Sequence, residues 1–229
     1  MNSYGESSES SQVSGTPWDS TTGLVAYWSF NEGFGTIAAD SSINGWNLSL
    51  SGTYGWATGK SGSSLNLMAL DVIGITSSFP HLNTLTAGGW FYLTTDTISS
   101  STGGSSFPML IIRDNSWAIS VSSGQIRMRI VDYRTFQWRD YDTGYYPTAD
   151  SWVHIAFSYD SSNGQLKSYI NGSLSNTWDT GYGNLWTSGE PFRIGFPAGI
   201  YYWKGKIDEV RIYNRALSAS EILNLYNSP

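Results

Sequence analysis

The sequence contains no cysteine, which excludes disulfide bridges and any chemistry that needs a thiol. It also lacks a run of about 18 apolar residues, the minimum for a membrane-spanning helix. The first residues are polar and rich in serine, without the basic and apolar regions of a signal peptide. We therefore expect no membrane insertion, and we interpret residues 1–22 as a flexible linker or tail joined to other domains of a longer parent chain.

Charged residues are scarce, and basic residues are scarcer than acidic ones. The 229 residues include 12 Lys and Arg against 18 Asp and Glu, for a net charge of −6. No cluster of basic residues is present that would follow a phosphate backbone, which argues against a nucleic acid partner. An acidic surface suits divalent cations. The absence of cysteine is compatible with the cytosol and with an extracellular protein that calcium stiffens.

Short apolar runs separated by turn residues begin at Gly23 and continue to the C-terminus. Glycine, serine, threonine and aromatic residues dominate, a composition that favours strands over helices. Three dipeptides between alternating runs indicate hairpin turns, because each supplies a residue that tolerates positive φ. These are Ser123-Gly124, Asn163-Gly164 and Asn171-Gly172. The candidate strands lie at 63–70, 85–95, 108–114, 116–123, 125–132, 135–141, 151–160, 165–172, 191–196 and 205–214, after a first run "GLVAYWSF" at 23–30.

The spacing of the turn signals, roughly 8–12 residues, is typical of a sandwich or jelly roll. One helix is indicated at the end, where Ser218 and Glu221 form a capping box before "ILNLY". The sequence therefore predicts an all-β domain over residues 23–229. We expect a two-sheet antiparallel β-sandwich (jelly roll) with one short C-terminal helix.

Two adjacent carboxylates, Asp208 and Glu209, interrupt an apolar strand in "GKIDEVRIYN". Strand alternation predicts that Asp208 shares the core face with Val210, and that Glu209 pairs with Arg211 at the surface. Carboxylates on opposite faces cannot flank one scissile bond, which needs two groups roughly 5–10 Å apart. An inward carboxylate still requires compensation, either by backbone amides or by a cation, and both interpretations stay open.

Three stretches carry a family resemblance: "GLVAYWSFNEGFGTIAADSSINGWNLSL", "WVHIAFSYDSSNGQLKSYINGSL" and "FRIGF…WKGKIDEVRIYNRALSASEILNLY". Over residues 23–227 the chain resembles the laminin G-like domains of the concanavalin A-like lectin-glucanase superfamily. Within it, the chain is similar to the pentraxin-like, carbohydrate-associated branch of surface proteins. The resemblance implies a jelly roll, often with a structural Ca²⁺ near the meeting point of the first and last strands. The calcium ligands that it implies are Asp40, Asp208, Asn44 and Asn31.

Aromatic residues are abundant, with 11 Trp and 15 Tyr, and three segments place them among polar residues. These segments are "DYRTFQWRDYDTGYYP", "WDTGYGNLW" and "GFPAGIYYWKG". Flat rings stack on the apolar face of sugars, and polar neighbours bind the hydroxyl groups, whereas the alternative is that the rings only cover the ends of the sandwich. Trp138, with Arg127 and Arg129 nearby, is the favoured group. The full set of predicted ligand-binding residues is Tyr133, Trp138, Tyr141, Tyr145, Trp178, Tyr182, Trp186, Tyr202, Trp203, Arg127 and Arg129.

Catalysis is not favoured by any motif. The superfamily that the chain resembles includes laminarinase-type hydrolases with a Glu-x-Asp-x-x-Glu strand, and no glutamate here begins such a pattern. No Gly-x-Ser-x-Gly nucleophile elbow is present either. We predict a non-catalytic, lectin-like carbohydrate-binding module of a secreted or cell-surface protein, with a polysaccharide or glycan as partner. Two alternatives stay open: an adhesive module of a surface protein, filament or virion, and a polysaccharide hydrolase or lyase.

Overall fold

The computed structural model describes residues 19–68, 74–76, 78–100, 108–186, 189, 191–196 and 203–229. Within these ranges the chain forms sixteen strands and two helices. The strands are β1 (Leu24–Trp28), β2 (Ile37–Ala38), β3 (Leu48–Leu50), β4 (Tyr54–Thr58), β5 (Ser63–Leu67), β6 (Gly74–Thr76), β7 (Leu85–Leu93), β8 (Met109–Arg113), β9 (Trp117–Ser122), β10 (Gln125–Asp132), β11 (Gln137–Asp142), β12 (Ser151–Asp160), β13 (Gln165–Ile170), β14 (Ser173–Asp179), β15 (Phe192–Phe196) and β16 (Gly205–Tyr213). The helices are α1 (Thr95–Ser100) and α2 (Ala219–Asn227).

The strands form two antiparallel sheets. Sheet 1 has the order β14-β13-β12-β7-β16-β5-β4, and β1 also pairs with β16. Sheet 2 has the order β11-β10-β9-β8-β15-β6-β3-β2. Strands β14 and β11 therefore lie at the edges of their sheets.

The core lies between the two sheets, as alternating apolar residues on both inner faces require. Two ring contacts join the layers. Trp117 of sheet 2 lies 5.5 Å from Phe157 of sheet 1, and Trp28 of sheet 1 stacks on Phe192 of sheet 2 at 4.9 Å. The predicted two-sheet antiparallel sandwich is confirmed.

The three predicted hairpin turns adopt the backbone conformations that their residues favour. Ser123 and Gly124 have φ of 50° and 78°, and Asn171 and Gly172 have 49° and 77°. Positive φ at both central residues is the pattern of a tight hairpin turn. At the third turn Gly164 takes a φ of 68°.

Helix α2 covers the outer face of sheet 1. Its capping box between Ser218 and Glu221 is present as predicted. Ile222 and Leu225 are buried, in a cluster that includes Tyr169 of β13. The sequence did not predict α1, a six-residue helix. Neither described helix has the length and apolar character needed to cross a bilayer.

The strand that carries the adjacent carboxylates contains a bulge. Pairing between β16 and β7 shifts register between Asp208 and Arg211, and Glu209 has a φ of 55°. A bulge inserts one residue and so breaks the alternation of faces. Ile207 and Val210, three residues apart, accordingly both belong to the core between the sheets.

The bulge moves Asp208 to the opposite face from the predicted one. Asp208 pairs directly with Trp90, and the Trp90 ring stacks on Tyr226 of α2 at 5.3 Å. Because directly paired residues share a face, Asp208 lies on the outer, helix-covered face of sheet 1. The prediction that Asp208 shares the core face with Val210 is therefore wrong.

Glu209 is paired as predicted but is not at the surface. Its Oε2 accepts hydrogen bonds from Arg211 at 2.6 Å and from the hydroxyl of Tyr27 at 2.8 Å. The side chain is buried, with 2% exposure. The expected surface couple is wrong: the pair is internal, so loss of one partner would leave a buried charge unpaired.

Residues 19–22 are tied to the domain, although we assigned them to the linker. The hydroxyl of Tyr213 donates to the carbonyl of Ser20 at 3.0 Å, and Arg215 Nε donates to the carbonyl of Thr22 at 2.9 Å. The remainder of the predicted linker, residues 1–18, lies outside the described residues.

Candidate functional site

A tight turn at the end of β10 holds an exposed tyrosine in place. The Asp132 carboxylate accepts hydrogen bonds from the amide of Arg134 and the hydroxyl of Thr135, each at 2.9 Å. The amide of Phe136 donates to the carbonyl of Asp132 at 2.8 Å, and Phe136 has a φ of 57°. Tyr133, within this turn, is 55% exposed. The predicted strand 135–141 therefore begins only at Gln137.

The segment 180–186, after β14, lies against this turn, and hydrogen bonds from the hydroxyl of Tyr159 hold it in place. The hydroxyl of Tyr159 lies 2.9 Å from the carbonyl oxygen of Tyr182 and 2.6 Å from that of Gly183. Gly164 is required here, because a Cβ at this position would lie 2.6 Å from the Tyr182 carbonyl oxygen. The amide of Trp186 donates to the carbonyl of Val131 on β10 at 3.4 Å.

The turn and the segment enclose an open cavity of about 320 Å³, which we call the Tyr182 pocket. It lies beside the edge strands of both sheets. Its lining residues are Asp132, Tyr133, Arg134, Gly181, Tyr182, Gly183 and Asn184.

Aromatic rings group beside the Tyr182 pocket. The ring of Trp186 lies 4.5 Å from that of Phe136, edge to face, and 6.2 Å from that of Tyr133. Phe136 is exposed and Trp186 is half-buried. The rings thus present apolar surface to solvent on a backbone that hydrogen bonds already hold in place.

The acidic and the basic side chain of the Tyr182 pocket differ in their exposure to solvent. Asp132 is 2% exposed, whereas the side chain of Arg134 is 62% exposed and lies over the Tyr182 ring at 4.7 Å. Burial alone would raise the pKa of Asp132, but its hydrogen bonds from the Arg134 amide and the Thr135 hydroxyl, with the Arg134 guanidinium, hold it below its ordinary value. The buried group is an anion and the exposed group is a cation.

Three other predicted residues support the site from inside. Tyr141 and Trp178 contact each other at 5.5 Å between ring centroids, and both pack against the core. Tyr145 is half-buried against the same core, and its carbonyl accepts from the amide of Ile126 at 2.9 Å. These rings stabilise the edge of the sandwich, and none of them lines the Tyr182 pocket.

The favoured group of the sequence prediction lies elsewhere, on the outer face of sheet 2. The guanidinium of Arg129 lies 5.0 Å from the Trp138 ring centroid, so these two residues do come together. Arg129 also pairs with Asp140 at 2.6 Å, and Arg127 pairs with Asp140 at 3.1 Å and with Asp142. Both arginines are thus engaged by carboxylates of the neighbouring strand.

Trp203 is buried, and its ring contacts Phe91 at 5.9 Å in the core between the sheets. The structure therefore places Trp203 where a glycan has no access to it, contrary to our prediction. Tyr202 lies outside the described residues.

All four predicted calcium ligands make hydrogen bonds to the backbone. Each Asp40 oxygen accepts a backbone amide, Oδ1 from Tyr27 at 2.9 Å and Oδ2 from Trp46 at 2.8 Å. Asn44 Nδ2 donates to the carbonyl of Val25 at 2.9 Å. Asn31 Oδ1 accepts from the amide of Ser63 at 2.8 Å. Both carboxylate oxygens of Asp40 are thus engaged by backbone amides.

Asp208 differs, because only one of its oxygens has partners. Oδ2 accepts from the amides of Lys60 and Ser61 at 2.8 and 3.0 Å, whereas Oδ1 is buried without a hydrogen-bond partner. Burial raises the pKa of Asp208 to about 7, against the effect of those amides. Among the described residues, no group of three or more His, Asp or Glu side chains is placed to hold a metal. Calcium binding at Asp208 stays a prediction.

Sequence reasoning selected Tyr133, Tyr182 and Trp186 but did not select Asp132 or Arg134 as site residues. A signal for both was present. An Asp at the end of a strand, followed by Arg-Thr, is typical of an Asx turn, in which the carboxylate accepts the amide two residues on.

Comparison with known proteins gives one family match. A family model described as "Concanavalin A-like lectin/glucanases superfamily" matches residues 71–223. No curated protein sequence matches the chain.

Solved structures share the fold at low sequence identity. The binding domain of Paraclostridial Mosquitocidal Protein 1 has a TM-score of 0.74 and 19% identity, covering 91% of this chain and 52% of that one. Domain 4 of AbnA, a GH43 extracellular arabinanase from Geobacillus stearothermophilus, solved in complex with arabinotriose, has a TM-score of 0.69 and 23% identity, covering 89% of this chain and 98% of that one. The botulinum neurotoxin serotype G binding domain has a TM-score of 0.71 and 17% identity, covering 89% and 50%. The chain thus spans about half of each toxin domain.

Proposed function

The chain belongs to the concanavalin A-like lectin/glucanases superfamily, and from this premise we propose that it is a non-catalytic glycan-binding module. The glycan occupies the Tyr182 pocket. The observation that carries the proposal is the exposed ring of Tyr133, held beside an open cavity by the hydrogen bonds of buried Asp132. A large exposed ring on a fixed turn is typical of a binding surface.

The shape and chemistry of the Tyr182 pocket suit a sugar. Its volume of about 320 Å³ falls at the small end of ligand pockets, which range over about 300–1,000 Å³. Tyr133 and Trp186 offer flat surface to the C–H face of a ring. Arg134 and Asn184, both exposed, offer hydrogen-bonding groups to its hydroxyls. The arabinanase domain, whose structure contains arabinotriose, shows that this fold accommodates a sugar in one distant neighbour.

The absence of a carboxylate pair supports a binding function rather than hydrolysis. Among the described residues that line the Tyr182 pocket, Asp132 is the only carboxylate. It is buried and already accepts several hydrogen bonds. Glycoside hydrolysis usually requires two carboxyl groups on either side of the scissile bond, roughly 5–10 Å apart.

The same proposal includes a location outside the cell and a structural calcium ion. Polysaccharides are most accessible outside the cell, so the module belongs to a secreted or cell-surface protein and is attached to other domains of its parent chain. A structural Ca²⁺ is expected at Asp208, where the partnerless Oδ1 supplies a hard anionic oxygen ligand. Calcium would stabilise the fold and takes no part in sugar recognition at the Tyr182 pocket.

Affinity electrophoresis in gels that contain plant or algal polysaccharides tests the proposal. At least one polysaccharide should retard the protein, and Tyr133→Ala should weaken the retardation several-fold, as expected when a stacking contact worth about 0.5–1.5 kcal/mol is removed. Phe34→Ala is the matched control, because Phe34 is an aromatic residue with 80% exposure outside the Tyr182 pocket.

Three outcomes would overturn the proposal. The first is no retardation in any gel, together with self-association in light scattering that sugars do not affect, which would indicate a protein-adhesion module. The second is equal retardation of the wild type and Tyr133→Ala. The third is release of reducing sugar by the purified domain, which would show a hydrolase.

A further inference from the structure

Two arginines surround one carboxylate at the Tyr182 pocket. Arg134 Nε lies 3.4 Å from one oxygen of Asp132, and an Arg139 nitrogen lies 3.8 Å from the other. The two guanidinium groups carry two positive charges and the buried carboxylate carries one negative charge, so the three side chains together have a net charge of +1. Both distances are long for a charge-assisted hydrogen bond, which is usually about 2.7–2.9 Å. Neither arginine is held tightly by Asp132.

The surplus positive charge faces solvent. The side chains of Arg134 and Arg139 are 62% and 46% exposed, whereas that of Asp132 is almost fully buried. Asp179 precedes the pocket segment, but it does not line the pocket and accepts a hydrogen bond from the amide of Gly181 at 3.0 Å. A ligand that enters the Tyr182 pocket thus meets an exposed cation before it meets any anion of the lining.

Arg134 is also held in a defined position. Its guanidinium lies over the Tyr182 ring at 4.7 Å, and the Tyr182 carbonyl is fixed by Tyr159. A guanidinium above an aromatic face keeps its planar fork of N–H donors, which matches the two oxygens of a carboxylate. This restriction lowers the entropy that Arg134 loses when it binds a ligand.

We propose that the Tyr182 pocket selects glycans that carry a carboxylate, with Arg134 as the residue that binds it. This inference deepens the proposed function and rests on it. The sugar ring lies against Tyr133 and Trp186, and its carboxylate pairs with the exposed guanidinium.

The net charge of the protein makes this selection informative. At −6 the protein as a whole repels an anionic sugar. At physiological ionic strength, however, charges are screened beyond about 8 Å, so the local cation decides the interaction. Carboxylate recognition at Arg134 therefore predicts an affinity that falls as salt is added, whereas the binding of a neutral sugar should not change.

Isothermal titration calorimetry with matched sugars tests the inference. Trigalacturonate carries a carboxylate at each position where neutral α-1,4-galactotriose carries a hydroxymethyl group. 3′-Sialyllactose is lactose with one additional sugar, which carries a carboxylate. At least one acidic sugar should bind about tenfold more tightly than its neutral counterpart, the size of a single charge-assisted contact. Which pair shows the difference identifies the source of the carboxylate.

Variants then test whether Arg134 is responsible for the preference for the acidic sugar. Arg134→Gln should remove the preference for the acidic sugar and its salt dependence, so that the acidic and the neutral sugar bind with similar affinity. Lys206→Gln is the matched control, because Lys206 also lies 4.7 Å above a tyrosine ring, that of Tyr92, and does not line the pocket. It should leave both affinities unchanged.

The outcomes separate the two proposals. Equal binding of acidic and neutral sugars, with sensitivity to Tyr133→Ala, would overturn carboxylate selection and retain the glycan-binding function. An acidic preference that persists in Arg134→Gln would also overturn it. Failure of all four sugars, and of every polysaccharide in the gels, would overturn the function itself.

Discussion

The ring of Tyr141, on edge strand β11, lies 5.5 Å from the ring of Trp178, on edge strand β14. One aromatic pair therefore joins the open edges of the two sheets beside the Tyr182 pocket. We predict that Trp178→Ala lowers the free energy of unfolding by about 2 kcal/mol, through loss of burial and of the ring contact. Urea denaturation measures this change. Tyr133→Ala should cost less than about 0.5 kcal/mol, because the ring is largely exposed. Equal losses would contradict the different roles assigned to these rings.

The buried pair of Glu209 and Arg211 gives a second prediction. Glu209→Gln keeps the side-chain size and the positive φ but leaves the Arg211 charge without its partner. We expect a loss of about 3 kcal/mol in the free energy of unfolding. Lys204→Gln, which breaks an exposed pair with Asp96 at 3.2 Å, should cost less than about 1 kcal/mol. Denaturation curves in which Glu209→Gln costs no more than Lys204→Gln would show that burial of the pair has no consequence.

Acid should destabilise the fold through His154. Burial, with a smaller effect from the Arg211 charge, lowers the pKa of His154 to about 3. The unfolded chain takes up the proton near pH 6.5, so the unfolded state binds more protons below that pH and stability falls as pH drops. Between pH 6.5 and pH 4 the loss amounts to about 3 kcal/mol.

The variant His154→Gln separates this effect from that of the carboxylates. Urea denaturation at several pH values should show a smaller acid loss in the variant than in the wild type, by about 3 kcal/mol at pH 4. Identical pH profiles would mean that His154 is protonated in the folded protein.

Calcium should raise the melting temperature. An ion that binds only the folded state stabilises it by mass action. At 1 mM, Ca²⁺ is about 100 times above a Kd on the order of 10 µM. The melting temperature in 1 mM Ca²⁺ should therefore be several degrees higher than the melting temperature in EDTA. Asp208→Asn should abolish the difference, whereas Asp96→Asn, at an exposed pair, should retain it. If calcium and EDTA give the same melting curve in the wild type, Asp208 is only a cap for the amides of Lys60 and Ser61.

The sequence was sufficient for the fold class, because strand alternation, hairpin dipeptides and the Ser218–Glu221 box are local signals. It failed at Asp208 because a bulge at Glu209 reverses the faces. No glycine marks that bulge, and its positive φ is carried by a glutamate that accepts a long-range hydrogen bond from the hydroxyl of Tyr27. Local patterns contain no information on such contacts.

The candidate site was predicted in part for the same reason. Tyr133, Tyr182 and Trp186 were selected because polar loops contain them. These three residues lie apart from Trp138 because the chain turns at Phe136, which has a positive φ that Phe residues rarely adopt. The burial of Trp203 depends on its packing against Phe91 in the core, which sequence spacing does not specify.

The central claim is that sugar binds at the Tyr182 pocket, and a crystal soaked in mixed acidic and neutral oligosaccharides tests it most directly. The account predicts a sugar ring against Tyr133 and Trp186, with a carboxylate within hydrogen-bond distance of Arg134. A sugar bound instead on the outer face of sheet 2, against Trp138, would contradict it.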